Sequence, residues 1–181
     1  MTDKTTLRKS LIAARRAIDP ALRQQWDAAI GRQVMDWCLR HEIGTCAVYW
    51  PIQGEPDLRP MYAQLSARGI RLALPVVVAK EAPLRFVLYA PGDALVKDGM
   101  GCSVPAVRDD AVLPDAVLIP CVGFNHARYR LGYGGGFYDR TLALTPRPLA
   151  IGVAHSISRA DFAIEPHDIA LDALITDLPE A

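Results

Sequence analysis

The chain has 181 residues, 51% hydrophobic and 22% charged, and its twenty basic and twenty acidic side chains cancel to a net charge of zero. That length suits a single domain, expected here over residues 1–181, with a full core. The lack of a basic excess argues against a general nucleic-acid binder, and no apolar run reaches membrane length. An anionic ligand would have to be met by local clusters, and two are visible: Lys4, Arg8, Lys9, Arg15 and Arg16 near the start, and Arg128, Arg130 and Arg140 further on.

Four cysteines, Cys38, Cys46, Cys102 and Cys121, show no C-x-x-C spacing. They read as reduced, mostly buried thiols of a reducing compartment. With no signal-peptide pattern, the cytoplasm is the expected location. The basic start is also compatible with a transit peptide, but it lacks serine enrichment and reads as an ordinary helix.

Asp3 to Ala17 predicts an amphipathic helix, with Leu7, Leu11, Ala14 and Ile18 as its apolar stripe. Lys4 and Arg8, four apart, project from neighbouring turns of one face, which the residues alone read as a solvated basic face. Asp19-Pro20 has the form of an N-cap with proline at the first helical position. The helix it opens runs to about Arg40, burying Trp26, Ile30, Val34 and Trp37. Thr45 to Trp50 predicts the first strand. The loop Pro51–Pro56 would lie at that strand's C-terminal end, where open parallel sheets bind ligands, so position alone suits Trp50 and Glu55 equally to substrate contacts and to a core tryptophan with a surface carboxylate. Asp57 can cap a helix over Leu58–Ala67, and Ile70–Val78 is the next strand, with Pro75 requiring an edge, a bulge or a strand end. Strand, helix, strand is a βαβ unit and predicts an α/β protein with a parallel sheet.

Leu84–Tyr89 is a further strand, and Pro91–Pro114 reads as extended, irregular chain rich in turn signals. Asp115–Pro120 is a buried strand, followed by a loop over Cys121–Arg130. A helix is expected over Phe137–Leu144, then strands over Leu149–Ala154, with His155 at its tip, and Leu171–Thr176. His155 and His167 read as sheet-end and loop histidines.

The densest signal is Arg130-Leu131-Gly132-Tyr133-Gly134-Gly135-Gly136-Phe137-Tyr138-Asp139-Arg140, which holds four of the 13 glycines. Such a run lets backbone N–H groups converge on an anion, and arginines at both ends add charge-assisted donors for phosphate or carboxylate. An acidic residue beside a phosphate cradle calls for a cation between them, so Asp139 suggests magnesium. The run is not a Walker A loop, which needs Gly-Lys-Ser/Thr where Phe137 and Tyr138 stand. It is not the dinucleotide fingerprint, whose third glycine would occupy the position of Phe137 and which follows its strand directly. The residues alone leave a flexible turn and an anion site both open.

The segment Cys121–Arg140 resembles the signature of the 5-formyltetrahydrofolate cyclo-ligase family, also called 5,10-methenyltetrahydrofolate synthetases. Lys4-Thr5-Thr6-Leu7-Arg8-Lys9 is similar to that family's N-terminal basic helix, Trp50–Glu55 to its folate-contacting loop, and Glu165-Pro166-His167-Asp168 with Leu171-Asp172 to its C-terminal acidic motif. The resemblance implies a three-layer α/β/α sandwich with a mostly parallel central sheet, over which ATP and 5-formyltetrahydrofolate meet. It implies ATP binding by Lys4, Arg8, Arg130, Leu131, Gly132, Tyr133, Gly134, Gly135, Gly136, Phe137 and Tyr138, with Arg130, Tyr138 and Arg140 as catalytic residues. It implies folate binding by Trp50, Glu55 and the stretch Tyr133–Phe137, and Mg²⁺ held by Asp139 and Asp168. The expected partners are these two small molecules, with no nucleic acid or membrane, and the expected state is a monomer. One departure stands out: the loop reads Phe124-Asn125-His126-Ala127, where the family has Asp after Phe and Gly near the position of Ala127. A non-catalytic relative that binds folate or nucleotide has the same residues available. So does a phosphosugar isomerase or acyl-CoA transferase on a similar scaffold, although neither would need Asp139 with a metal.

Overall fold

The computed structural model describes residues 3–179. Helix α1 spans Lys4–Arg16, and Asp3 caps it by accepting from the Thr5 and Thr6 amides. Helix α2 spans Pro20–Arg40, capped by Asp19 with proline in its first turn. Strand β1 (Thr45–Ala47), helix α3 (Arg59–Ala67) and strand β2 (Arg71–Val76) form the βαβ unit. Asp57 serves α3 less directly than expected: Leu58 occupies the cap position with no side-chain bond, while Asp57 Oδ1 accepts from the Arg59 amide at 3.1 Å.

Strand β3 (Arg85–Tyr89) follows, then the hairpin of β4 (Leu95–Lys97) and β5 (Ser103–Pro105) and the short β6 (Ala111–Val112). The turn-rich segment is thus more ordered than its composition suggests. Strand β7 (Ala116–Pro120) leads into a second small hairpin, β8 (Gly123–Phe124) with β9 (Arg130–Leu131), where the sequence predicted only a loop. Helix α4 (Phe137–Leu142), strand β10 (Leu149–Val153), a 3₁₀ turn at Ser156–Ser158 and strand β11 (Ala173–Ile175) complete the chain.

The seven-stranded sheet has the order β11-β10-β7-β1-β2-β3-β6. Its four pairings from β11 to β2 are parallel, and β3 runs antiparallel to both its neighbours. Pro75 is accommodated because β1 stops pairing at Ala73, so β2 has lost that neighbour by the time it reaches the proline.

The strand pleat sorts side chains to two faces. Cys46, Leu72, Leu74, Leu118 and Ile151 pack with Ile30, Val34 and Trp37 of α2 and Tyr62 and Leu65 of α3. Ala47, Ala73, Val117, Ile119 and Ala150 point the other way, to Phe124 and to Leu142 of α4. This is the expected α/β/α sandwich with a mostly parallel sheet. Trp37 is core, as expected, whereas Trp26 is half-buried beside the His155 ring at 5.8 Å. Helix α1 departs from its predicted stripe, because Ala14 is exposed and its fully buried side chain is Arg15. No helix among the described residues is long and apolar enough to cross a membrane.

The chain leaves β1 toward β2 on one side of the sheet, and β7 toward β10 and β11 on the other. The crevice between the C-terminal ends of β1 and β7 is therefore a topological switch point, the place where such sheets bind ligands.

Candidate active site

Two loops flank that crevice: 51–57 after β1, and the segment from Cys121 into the β8–β9 hairpin after β7. Arg15 bridges them. Its Nε donates to the Gln53 carbonyl at 3.2 Å and its Nη1 to the Cys121 carbonyl at 3.2 Å. Its Nη2 donates to the Tyr133 hydroxyl at 2.8 Å, which donates in turn to Glu55 Oε1 at 2.8 Å. Glu55 Oε2 accepts from the Ile52 amide at 2.9 Å. Burial pushes the Glu55 carboxyl above the usual carboxylate range, opposed by these two hydrogen bonds and by the Arg15 charge. The Tyr133 hydroxyl is likewise pushed up, by desolvation first and by the adjacent Glu55.

The glycine stretch follows β9. Gly134 (φ 97°) and Gly136 (φ 66°) occupy left-handed conformations that only glycine adopts without strain. Two arginines hold its carbonyls: Arg8 Nε donates to Gly132 O at 2.7 Å and Arg140 Nη1 to Gly135 O at 2.8 Å. The guanidinium of Arg8 also lies against Gly134. Among the described residues, the backbone N–H groups of Tyr133, Gly134, Gly135 and Gly136 donate to no protein acceptor. Carbonyls held by cations and successive N–H groups left free make a cradle for an anion.

Arg130 and Asp139 sit at the flank of this cradle. Arg130 Nη2 meets Asp139 Oδ1 at 2.5 Å, and its Nη1 donates to Ile169 O at 2.9 Å. The Ile169 amide donates to the same Asp139 oxygen at 3.2 Å. This latch ties the glycine stretch to the loop carrying Asp168, whose Oδ2 accepts from the Glu165 amide at 2.8 Å. Lys4 reaches the same loop, 2.9 Å from Glu165 Oε1 and 3.6 Å from Asp168 Oδ2. Arg130 is thus turned to Asp139 rather than to the glycines, and Lys4 is paired with carboxylates.

The donor set fits magnesium. Asp139 and Asp168 approach one loop, and Asp139 Oδ2 and Asp168 Oδ1 accept no hydrogen bond among the described residues. Those residues hold no cluster of three metal-ligating side chains. Magnesium bound through one or two carboxylates, phosphate oxygens and water does not require one.

Trp50 stands apart from the glycine stretch, edge-on to Tyr89 of β3 at 6.2 Å and with the Arg59 guanidinium 5.2 Å from its ring centroid. A cleft of about 760 Å³ runs between α2, the 51–57 loop and α3. Of the predicted site residues only Glu55 lines it. Tyr138 is half-buried and packs under the stretch with Phe124 and Leu142; burial raises its hydroxyl pKa. His167 is an exposed loop residue 3.2 Å from Glu165. His155 is fully buried and pairs with Asp27 at 2.7 Å. The thiols are free, and burial pushes Cys121 up to about 11, so it is inert as a nucleophile.

Sequence reading missed Arg15 as a site residue. Lys4, Arg8 and Arg15, spaced four and seven apart, share one face of α1, and that spacing was the available signal.

The departure before the signature is absorbed locally. Asn125 Oδ1 accepts from the Ala127 amide at 3.1 Å and the Tyr129 amide at 3.0 Å, a duty a carboxylate oxygen would perform equally. The left-handed residue is Arg128, next to Ala127, with φ 60°.

A mostly parallel α/β sandwich with an arginine-braced row of free amides at its switch point defines an α/β protein with the ligand crevice of open parallel sheets. The sequence matches the model of the 5-formyltetrahydrofolate cyclo-ligase family over residues 1–177. It is 30% identical to the 5-formyltetrahydrofolate cyclo-ligase of Mycoplasma pneumoniae over 97% of this chain and 99% of that one. It is 33% identical to the Escherichia coli K12 protein of the same name over 90% and 93%. Among solved structures, the 5,10-methenyltetrahydrofolate synthetase of Mycoplasma pneumoniae superposes with TM-score 0.80 at 30% identity, covering 98% of this chain and all of that one. The Aquifex aeolicus 5,10-methenyltetrahydrofolate synthetase gives 0.82 at 27%, covering 96% and 89%. The chain belongs to the 5-formyltetrahydrofolate cyclo-ligase family, and it is an enzyme of the ligase class.

Proposed function

We propose that this enzyme converts 5-formyltetrahydrofolate to 5,10-methenyltetrahydrofolate at the expense of ATP, releasing ADP and phosphate. The observation that carries this reading is the row of unused N–H groups over Tyr133–Gly136, braced by Arg8 and Arg140, one hydrogen bond away from Glu55. A phosphate cradle and a buried carboxylate suited to an amino-substituted heterocycle share a single residue, Tyr133.

In this reading the γ-phosphoryl group passes to the formyl oxygen, breaking its bond to the β-phosphate side and leaving ADP. N10 of the folate then attacks the activated formyl carbon and loses its proton. The carbon–oxygen bond breaks with its electron pair going to phosphate, and the five-membered ring remains as the methenyl cation. Such transfers ask the protein for alignment and charge neutralisation rather than covalent chemistry. The free amides of the glycine stretch bind phosphate oxygens. Arg8 and Arg140 hold that stretch in shape and add positive charge, and Arg130 holds Asp139. Lys4 exchanges its carboxylate partners for a phosphate, while Trp50 and Glu55 face the folate. Asp139 and Asp168 would hold Mg²⁺, which when bound offsets the phosphate charge.

The test is direct: mix protein, 5-formyltetrahydrofolate, ATP and Mg²⁺, and follow methenyltetrahydrofolate absorbance together with ADP release. Both signals should rise in step and require all three additions. Binding of folate with no gain in absorbance would reject turnover and leave a binding protein.

A further inference from the structure

Arg15 is an anomaly in energetic terms. The residue is 1% exposed, yet among the described residues no carboxylate lies within ion-pair distance of its guanidinium, whose three partners are two carbonyls and a phenol. A buried cation without a direct counter-ion is costly. What it gains is geometry. Guanidinium can only donate, so the Tyr133 oxygen must accept from Arg15 and turn its own hydrogen toward Glu55 Oε1. The order cation, phenol, carboxylate has one direction. The same side chain pins Gln53, two residues before Glu55, and Cys121 across the switch-point crevice.

We propose that Arg15 is a positioning residue for the ligase reaction, holding Tyr133 and the 51–55 loop so that Glu55 is presented to the pterin end of the folate as an oriented, ionised carboxylate. The inference rests on the reading above that Glu55 faces folate. A pterin offers two parallel donors along its pyrimidine edge, a ring N–H and an amino group, and a carboxylate with fixed orientation matches them as a fork. Glu55 keeps free lone pairs for them, since each of its oxygens accepts only one hydrogen bond.

Opposing influences act on the Glu55 carboxyl, with burial the largest. Burial favours the protonated form, and Ile52 N–H, Tyr133 O–H and the Arg15 charge favour the ionised one. The other titratable groups that feel it are Tyr49, Cys102, Cys121 and Tyr138, all of which carry no charge near neutral pH. Arg16 and Arg23 also lie against Gly54 beside Glu55, and Arg23, Asp27, Arg32, Asp36, Asp57 and Arg59 line the same cleft, but Arg15 is the charge that holds the Glu55 carboxyl down against burial, and its removal pushes that carboxyl further up.

The experiment compares wild type, Arg15→Gln, Arg15→Lys and Tyr133→Phe in full-length protein. In Arg15→Gln and Tyr133→Phe, KM for 5-formyltetrahydrofolate should rise tenfold or more while KM for ATP stays within about twofold. The acid limb of the pH profile of kcat/KM for folate should move to higher pH in both, and Arg15→Lys should recover part of the shift. An Arg15→Gln enzyme that folds and keeps the wild-type folate KM and acid limb overturns the proposal, as does an equal rise in both KM values. If Arg15→Gln does not fold, Tyr133→Phe decides, because Tyr133 is 41% exposed and the substitution removes one oxygen. Wild-type turnover measured alongside separates the two readings. A wild type that binds 5-formyltetrahydrofolate without converting it rejects the ligase reading, and calorimetric folate affinity then reads the Arg15 effect. A wild type that does not bind it overturns both.

Discussion

Asp139 receives both Arg130 and the Ile169 amide on a single oxygen, which leaves the other free to face a cation. Asp139→Asn keeps an acceptor for those two donors and removes the charge. We expect most Mg²⁺-dependent turnover to disappear, at least tenfold, with cooperative unfolding retained and stability lowered by about 1–3 kcal/mol because Arg130 loses its counter-charge. Near-normal turnover in a magnesium titration would refute the metal role. Lys4 belongs to the same loop from the other side. Its bond to Glu165 is a largely exposed ion pair worth less than about 1 kcal/mol, so Lys4→Ala should barely shift the thermal midpoint. It should raise the ATP requirement more than the folate requirement, and an unchanged KM for ATP would return Lys4 to a surface role. Asp139 drew attention in the sequence as a charge beside a glycine run, and Lys4 only through its similarity to the family's N-terminal basic helix. Arg15 was legible in neither way, because an arginine on a helix reads as solvated until the opposing surface is known.

Among the elements, the hairpin β8–β9 shows how local chemistry can substitute for a family pattern. Its turn depends on Asn125 Oδ1 taking two amides, and on Arg128 tolerating a left-handed backbone. Asn125→Asp should be close to neutral in equilibrium unfolding, whereas Asn125→Ala strands two donors and should cost about 1–3 kcal/mol. Helices α1 and α2 were readable to within a residue from Asp3, Asp19 and Pro20, because capping is chemistry between near neighbours in sequence. The hairpins β4–β5 and β8–β9 were not readable, since two- and three-residue strands have no period to detect and exist only because a distant partner offers the ladder. The antiparallel entry of β3 was also hidden: its sequence is equally suited to either direction.

At the scale of the whole molecule, two groups make opposite contributions to the dependence of stability on pH. Arg147 holds the Asp172 carboxyl below its usual range, chiefly through their hydrogen bonds. That stability is present above the unfolded-state pKa and is lost as pH falls through the lower folded one. Burial raises Glu55, so its contribution is complete below the unfolded carboxylate range and lost as pH rises through the higher folded value. Glu55→Gln should therefore flatten the loss of stability on the mildly acidic-to-neutral side while leaving the acid limb governed by Asp172; unfolding midpoints measured across pH check this. The α/β class and the switch-point location followed from the βαβ order alone. The family followed from eleven consecutive residues, Arg130–Arg140. What the sequence could not convey was which loops close on which, because Glu55, Tyr133 and Arg15 are separated by up to 118 positions.

Helix α1 rests against the 3₁₀ turn at Ser156–Ser158, packs Leu11 on Gly123 of β8, and reaches the site through Lys4, Arg8 and Arg15. Between them these side chains reach the Glu165–Asp168 loop, the glycine stretch and the 51–55 loop. Detachment of this one helix would therefore release the proposed phosphate cradle and the Glu55 loop together, and a ligand held by either would oppose that detachment. Local opening and occupancy are linked by mass action. Amide hydrogen exchange in α1 should slow when nucleotide or folate is added, and slow further with both, while the amides of β7 and β10 in the sheet centre exchange unchanged.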